Sequence, residues 1–177
     1  MAVTELAPTE EIQALRERYR AFMEQHVYPN ERELQSDDAD LIRALRAKAK
    51  EEGLWAPHVP PEAGGTGQGF LAYAHLNEEI GRSTYAQLVF GCQAPDAGNM
   101  EILIKFGNDA QKEQYLKPLL EGRIRSCFSM TEPDFPGSNP TWMGTMAVKD
   151  GDDYVINGKK WFTSSAEGAA FAVVMAV

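Results

Sequence analysis

The residues best suited to bind a small molecule lie in one stretch, "CFSMTEPDFPGSNPTW", from Cys127 to Trp142. Residues two apart in a strand share one of its faces, so Phe128 and Met130 are predicted to lie side by side. Thr131 lies just past the end of that strand, because Pro133 prevents its continuation. An aromatic wall, hydroxyls and backbone N–H groups at such a strand end suit a planar heteroaromatic ring with polar edges.

A second stretch, "YVINGKKWFTSS", offers matching chemistry further along the chain. Phe162 and Ser164 are predicted to share one face of another strand. Between the two stretches, Gly137-Ser138 could hold a phosphate tail, since turn amides and a serine hydroxyl bind anions without positive charge. A plainer interpretation stays open, in which the apolar side chains belong to a core and Gly-Ser is a turn.

The candidate binding residues must be positioned by the rest of the chain, and helices are predicted for its first 126 residues. Apolar residues at steps of three and four mark the first helix, and Thr9 is its predicted cap. A second amphipathic stretch begins at Leu41, and a third covers Phe70 to Gly81. An apolar stripe follows around residues 100–106, and Asn108 to Gln111 resembles a capping box for a helix over 109–120.

Strands are predicted from Ser126 onward, where the apolar period changes from 3.6 to 2. The runs "TMAV" and "YVI" are β-prone, and "KDGDD" is predicted to join them as a turn. Asn157-Gly158, between two β-prone runs, predicts a type I′ hairpin. The composition of "FAVVMAV" predicts a buried strand at residues 171–177.

Composition and charge argue against several classes of protein. The 177 residues carry a formal net charge of −9 and no basic block, which argues against a nucleic-acid surface. Two distant cysteines and three scattered histidines show neither a disulfide framework nor metal-ligand spacing. Neither an export signal nor a run long enough for a membrane span is visible, so a reducing, intracellular setting is expected, cytoplasmic or, in a eukaryote, the matrix of an organelle.

Five motifs in the same order resemble the acyl-CoA dehydrogenase family. They are "LWAPHVPPEAGGTG", "NEEIGRS", "KFGNDAQKEQYLKPLLEG", "FSMTEPDFPGS" and "DDYVINGKKWFTSS". Together they cover nearly the whole chain and make the resemblance highly specific. "CQAPDAGNMEIL" and "CFSMTEPD" look most like the subgroup that includes long-chain members fused to a phosphotransferase-like domain.

The resemblance implies an α+β fold. Residues 1–126 would form the N-terminal helical domain, and residues 127–177 the first, flavin-binding part of an antiparallel middle β-domain. The family's C-terminal four-helix bundle and its catalytic glutamate would lie beyond residue 177, so no catalytic residue is assigned within the chain. FAD is expected to bind only when that C-terminal part is supplied, either in a longer chain or as a second polypeptide.

The resemblance also assigns roles to individual residues around FAD. Thr131 would meet the isoalloxazine through its hydroxyl and backbone, and Ser138 would lie near the pyrophosphate and the substrate. Phe162 stands where the family has a stacking tryptophan, and Ser164 where it has a threonine near flavin N5. The full cofactor set comprises Phe128, Met130, Thr131, Gly137, Ser138, Phe162, Thr163 and Ser164.

Asp96 and Ala97 match the family's acyl-pocket segment. A carboxylate beside an alkyl chain costs free energy unless it is hydrogen-bonded. Asp96 is therefore predicted instead to cap a helix that starts near Asn99.

The family reaction is α,β-desaturation of a fatty acyl-CoA thioester, in which a glutamate removes the α-proton and a hydride moves to flavin N5. The implied partners are an acyl-CoA, an electron acceptor such as an electron-transfer flavoprotein, and further copies in a homodimer or homotetramer. Two alternatives remain open: a truncated, non-catalytic binding or scaffold protein, and a family oxidase acting on acyl-CoA or nitroalkanes.

Overall fold

A computed structural model describes residues 6–36, 38–137 and 139–177 of the chain. It divides into two compact units, a first unit that ends at Ala97 and a second unit that begins at Gly98. The predicted order of a helical part followed by a small β region is confirmed, since the first strand begins at Ser126.

Helices account for most of the first unit. Thr9 caps the first helix as predicted: its side chain accepts a hydrogen bond from the Ile12 N–H, and two glutamates occupy the first turn. The helices are α1 (Glu10–Phe22), α2 (Glu31–Leu34), α3 (Ala39–Glu51), α4 (Phe70–Ile80) and α5 (Ala86–Phe90), with a π-helical turn at Met23–Val27 and 3₁₀ turns at Tyr28–Asn30 and Pro61–Ala63. Helix α6 (Asp96–Phe106) begins in the first unit, and its residues from Gly98 onward belong to the second.

The apolar core of the first unit is built around three aromatic rings. The ring centroid of Phe90 lies 4.8 Å from that of Tyr19 and 5.2 Å from that of Phe22. All three side chains are buried, and the Tyr19 hydroxyl donates a hydrogen bond to the Leu54 carbonyl at 2.7 Å. A buried hydroxyl that keeps a hydrogen-bond partner costs little free energy, so Tyr19 contributes its ring to the core without leaving its hydroxyl unsatisfied.

The second unit starts with helices and continues as strands. The predicted capping box is confirmed, because the Asn108 and Gln111 side chains each accept the other residue's backbone N–H. The helical segments after α6 are α7 (Asp109–Gln111), a π-helical stretch at Lys112–Leu116 and α8 (Lys117–Leu120). In the described part of the chain, no helix has the length and apolar character needed to cross a bilayer.

Among the residues that the structure describes, four strands form two separate pairs. They are β1 (Ser126–Ser129), β2 (Met146–Asp150), β3 (Asp153–Asn157) and β4 (Phe171–Val174). The β2–β3 pair is antiparallel, as predicted, and its turn lies at Gly151 in the "KDGDD" segment. β1 and β4 instead run parallel, with Phe128 opposite Val173, so the β region is mixed.

Two strand predictions were wrong. Asn157 ends β3, and within the described residues the segment after it forms no strand of a hairpin at Asn157-Gly158. Lys160 and Trp161 hydrogen-bond to the segment after β1 instead. The "FAVVMAV" strand covers only Phe171–Val174 and alternates between half-buried and exposed residues, so it is not buried.

Candidate functional site

The end of β1 shows the face alternation that the sequence predicted. Cys127 and Ser129 are buried, while Phe128 and Met130, on the opposite face, are partly exposed. Thr131, just beyond the strand, is also partly exposed. The strand end therefore presents an aromatic ring, a thioether and a hydroxyl to the outside of the second unit.

The segment after β3 lies against this strand end although it is not a strand. The Trp161 N–H donates to the Thr131 carbonyl at 3.0 Å, and the hydroxyl oxygens of Ser129 and Thr163 lie 3.3 Å apart. The structure thus brings together two groups of predicted site residues that are about thirty positions apart in the chain.

The prediction that Phe162 and Ser164 share one face of a strand was wrong. Phe162 has φ 49°, in the left-handed region, so residues 162 and 164 are not successive members of one strand face. The Phe162 ring is 79% exposed and lies 4.7 Å from the half-exposed Trp161 ring, centroid to centroid. Ser164 is exposed. An aromatic pair and a hydroxyl are therefore open to a ligand.

The Gly137 turn packs against Thr131. A Cβ added at Gly137 would lie 3.0 Å from the Thr131 Cγ2 atom, so the close approach favours glycine. Met130, Thr131, Gly137 and Trp142 are among the residues that line a small cleft here. Ser138, the predicted phosphate contact, lies outside the described residues.

Glu132 is the most strongly anchored side chain of the site. Its carboxylate accepts hydrogen bonds from the Gly144 N–H at 2.6 Å, the Thr145 N–H at 2.9 Å and the Lys160 ammonium at 2.8 Å. Burial opposes ionisation, but the bonds from Lys160, Thr145 and Gly144 outweigh it and lower the pKa of Glu132 to about 2. A carboxylate so weakly basic is a poor proton acceptor, which agrees with its predicted role in shaping the turn.

Lys160 was missed by the sequence reasoning. Its ammonium group also donates to the Met130 carbonyl at 2.9 Å, and its side chain is 11% exposed. Lys159, its neighbour, is exposed. The pattern "GKKW" contains no signal that tells which of two adjacent lysines turns inward, because no regular strand periodicity continues through it.

Asp96 and Ala97 belong to the first unit. Helix α6 begins at Asp96 itself, so the prediction that Asp96 caps a helix starting near Asn99 was wrong. The Asp96 carboxylate is 3% exposed and accepts a hydrogen bond from the Gln93 side-chain amide at 2.7 Å. That bond offsets part of the cost of burying the carboxylate.

Comparison with known families and proteins gives consistent results. Residues 9–123 match the model of the acyl-CoA dehydrogenase N-terminal domain, and residues 127–177 match that of the acyl-CoA dehydrogenase middle domain. The chain is 46% identical over 166 residues to acyl-CoA dehydrogenase family member 10 of Mus musculus, covering 86% of this chain but 16% of the mouse protein.

Solved structures that resemble this chain are also acyl-CoA dehydrogenases. A Mycobacterium abscessus protein described as an acyl-CoA dehydrogenase superposes with a TM-score of 0.86 at 39% identity, covering 95% of this chain and 46% of that one. An acyl-CoA dehydrogenase from Bacillus anthracis, solved in complex with FAD, gives a TM-score of 0.70 at 28% identity, covering 96% of this chain and 29% of that one. This chain therefore spans less than half the length of these relatives, and it belongs to the acyl-CoA dehydrogenase family.

Proposed function

We propose that this chain supplies the N-terminal helical domain, residues 1–126, and the first part of the middle β-domain, residues 127–177, of an FAD-dependent acyl-CoA dehydrogenase. The proposed reaction is α,β-desaturation of a fatty acyl-CoA thioester. Family membership and the FAD complex of the Bacillus anthracis relative support this proposal.

The observation that carries the proposal is the contact between the end of β1 and residues 161–163. It places the partly exposed Met130 and Thr131 near the exposed aromatic side chains of Trp161 and Phe162. Apolar and aromatic side chains with a few polar groups are the usual lining of cofactor sites.

The residues present fit a flavin. Thr131 and Ser164 would donate or accept hydrogen bonds at the edge of the ring, and Phe128, Met130 and Phe162 would supply apolar contacts. Gly137 and Ser138, with Thr163, complete the proposed cofactor set. When bound, FAD would supply the hydride acceptor that the side chains lack.

The proposed substrate contacts are Asp96, Ala97 and Ser138. The catalytic base is proposed to come from the remainder of the complete protein, because Glu132 is fully engaged within the turn. We further propose an acyl-CoA as substrate, an electron-transfer flavoprotein as the electron acceptor, and a homodimer or homotetramer as the assembly.

Anaerobic mixing of the full-length, FAD-loaded protein with acyl-CoA thioesters of increasing chain length tests the proposal. The flavin absorbance should bleach with at least one thioester, and a 2-enoyl-CoA should form. Bound flavin that no thioester reduces would contradict the proposal. Failure to bind FAD would favour the scaffold alternative, and rapid reoxidation by oxygen with peroxide release would favour the oxidase.

A further inference from the structure

Three consecutive residues after β1 are held by two consecutive residues after β3. The Lys160 ammonium donates to the Met130 carbonyl at 2.9 Å and to the Glu132 carboxylate at 2.8 Å. Between these two contacts, the Trp161 N–H donates to the Thr131 carbonyl at 3.0 Å. Thr131 is therefore fixed through its own backbone and through both of its neighbours in the chain.

The carboxylate of Glu132 extends this arrangement to a third segment. It accepts the N–H groups of Gly144 and Thr145, which precede β2. Glu132 and Lys160 have side chains only 4% and 11% exposed. A buried charge pair needs good geometry and further hydrogen bonds. This one has both, because the N–H groups of Gly144 and Thr145 and the carbonyl of Met130 are three further partners.

We propose that Lys160 and Glu132 are positioning residues for the flavin ring, which act through Thr131 by fixing its backbone against residues 161–164. The inference rests on the proposed function. A hydrogen bond weakens steeply as its geometry departs from linear, so a donor or acceptor on a ring edge depends on how firmly its backbone is held. The Lys160–Glu132 pair holds the Thr131 backbone in place just beyond the end of β1, where the hydrogen bonds between strands have ended.

Lys160→Met tests the proposal in the full-length protein, and Lys159→Met is its matched control. Methionine keeps most of the side-chain length of lysine and removes the charge. We expect the dissociation constant for FAD to rise roughly tenfold to hundredfold in Lys160→Met, because a buried charge loses its partner. In Lys159→Met it should stay within about twofold of the wild type, because that side chain is exposed.

A double-mutant cycle with Thr131→Val distinguishes the positioning of Thr131 by Lys160 from a non-specific destabilisation of the fold. Valine keeps the shape of threonine and removes its hydroxyl. In the wild-type background Thr131→Val should weaken FAD binding roughly threefold to tenfold. In the Lys160→Met background the additional loss should be close to none, because a displaced Thr131 no longer reaches the ring. Equal losses in both backgrounds would overturn the proposal.

Lys160→Arg covers the case in which Lys160→Met does not fold. Arginine keeps the charge but presents a planar fork, so the same cycle can be run with intact charge and altered geometry. An FAD dissociation constant within about twofold of that of Lys159→Met would overturn the inference, whether it is measured on Lys160→Met or, where that variant does not fold, on Lys160→Arg. Binding and reduction of FAD in the wild type test the proposed function separately, so the two failures are distinguishable.

Amide exchange on the full-length protein without flavin gives an independent measurement. The Trp161 N–H should exchange faster in Lys160→Met than in Lys159→Met, because Met130 and Glu132, which flank its acceptor Thr131, each lose their contact with Lys160. Equal exchange in the two variants would contradict the anchoring itself.

Discussion

In the first unit the side chains of Tyr19, Phe22 and Phe90 are 1% exposed or less, whereas in β3 of the second unit Tyr154 and Ile156 are 64% and 52% exposed. The first unit buries its aromatic residues against one another. The β2–β3 pair leaves both of its faces open, and the polar contacts of Glu132 and Lys160 anchor the chain that flanks it. The helical region is thus stabilised by packing, and the candidate site by a few buried polar contacts.

The comparison predicts the largest loss of stability at Phe90. Phe90→Ala should lower the free energy of unfolding by about 3–5 kcal/mol, because it leaves a cavity between two buried rings. Tyr154→Ala is the matched control in β3 and should cost less than about 1 kcal/mol, since its ring is mostly exposed. Urea unfolding followed by the helical circular dichroism signal measures both. Equal losses of unfolding free energy in the two variants would contradict the comparison, because the exposed Tyr154 ring would then contribute as much packing as the buried Phe90 ring.

Glu79 should give the next largest effect. Its side chain is 1% exposed and pairs with Arg16, Arg20 and Arg82, and the hydrogen bond from Arg20, against the opposing effect of burial, lowers the pKa of Glu79. Glu79→Gln should cost about 1–3 kcal/mol, because the buried Glu79 side chain loses its charge and its three arginine partners lose a charged acceptor. Glu78→Gln, at an adjacent and mostly exposed side chain, should cost under about 1 kcal/mol. Similar unfolding curves for the two variants would contradict the claim that the burial of Glu79 makes its ion pairs more stabilising than those of Glu78.

The two regions should respond to acid in different pH ranges. Burial lowers the pKa of His58, in the first unit, from 6.5 to about 4, and both of its ring nitrogens are buried without a hydrogen-bond partner among the described residues. The unfolded chain therefore takes up this proton first, and stability falls as the pH drops from about 6.5 to about 4. For Glu132 the corresponding loss runs from about pH 4.5 to about pH 2.

Unfolding free energies measured across these pH ranges check the assignment. His58→Gln should flatten the dependence in the upper range and Glu132→Gln in the lower range, because each removes one titrating group. A His58→Gln profile with the wild-type slope would show that another group titrates there.

Local patterns in the sequence predicted the helices well. The Thr9 cap and the Asn108–Gln111 capping box depend on residues three positions apart, so the sequence contains all the information that they need. The hairpin at Asn157-Gly158 was wrong for the opposite reason. Its outcome depends on Lys160 and Trp161 contacting residues about thirty positions earlier, and that competition is invisible in a short window.

The candidate site was predicted in part. The face of Phe128 and Met130 follows from strand periodicity and is present in the structure. The roles of Ser164 and the other proposed flavin contacts came from family resemblance and stay predictions. Lys160 could not be found, because its partners are backbone groups and a carboxylate on segments that the sequence does not place together.

Flavin reduction in Ser164→Ala tests most directly whether residues 161–164 and the end of β1 form the flavin site. In the full-length protein the melting temperature should hardly change, because Ser164 is exposed. Stopped-flow bleaching by an acyl-CoA should slow roughly tenfold to hundredfold, because one hydrogen bond is lost where negative charge develops. Ser36→Ala, at an exposed serine of the first unit, should leave the rate unchanged. An unchanged rate in Ser164→Ala with FAD still bound would contradict the account.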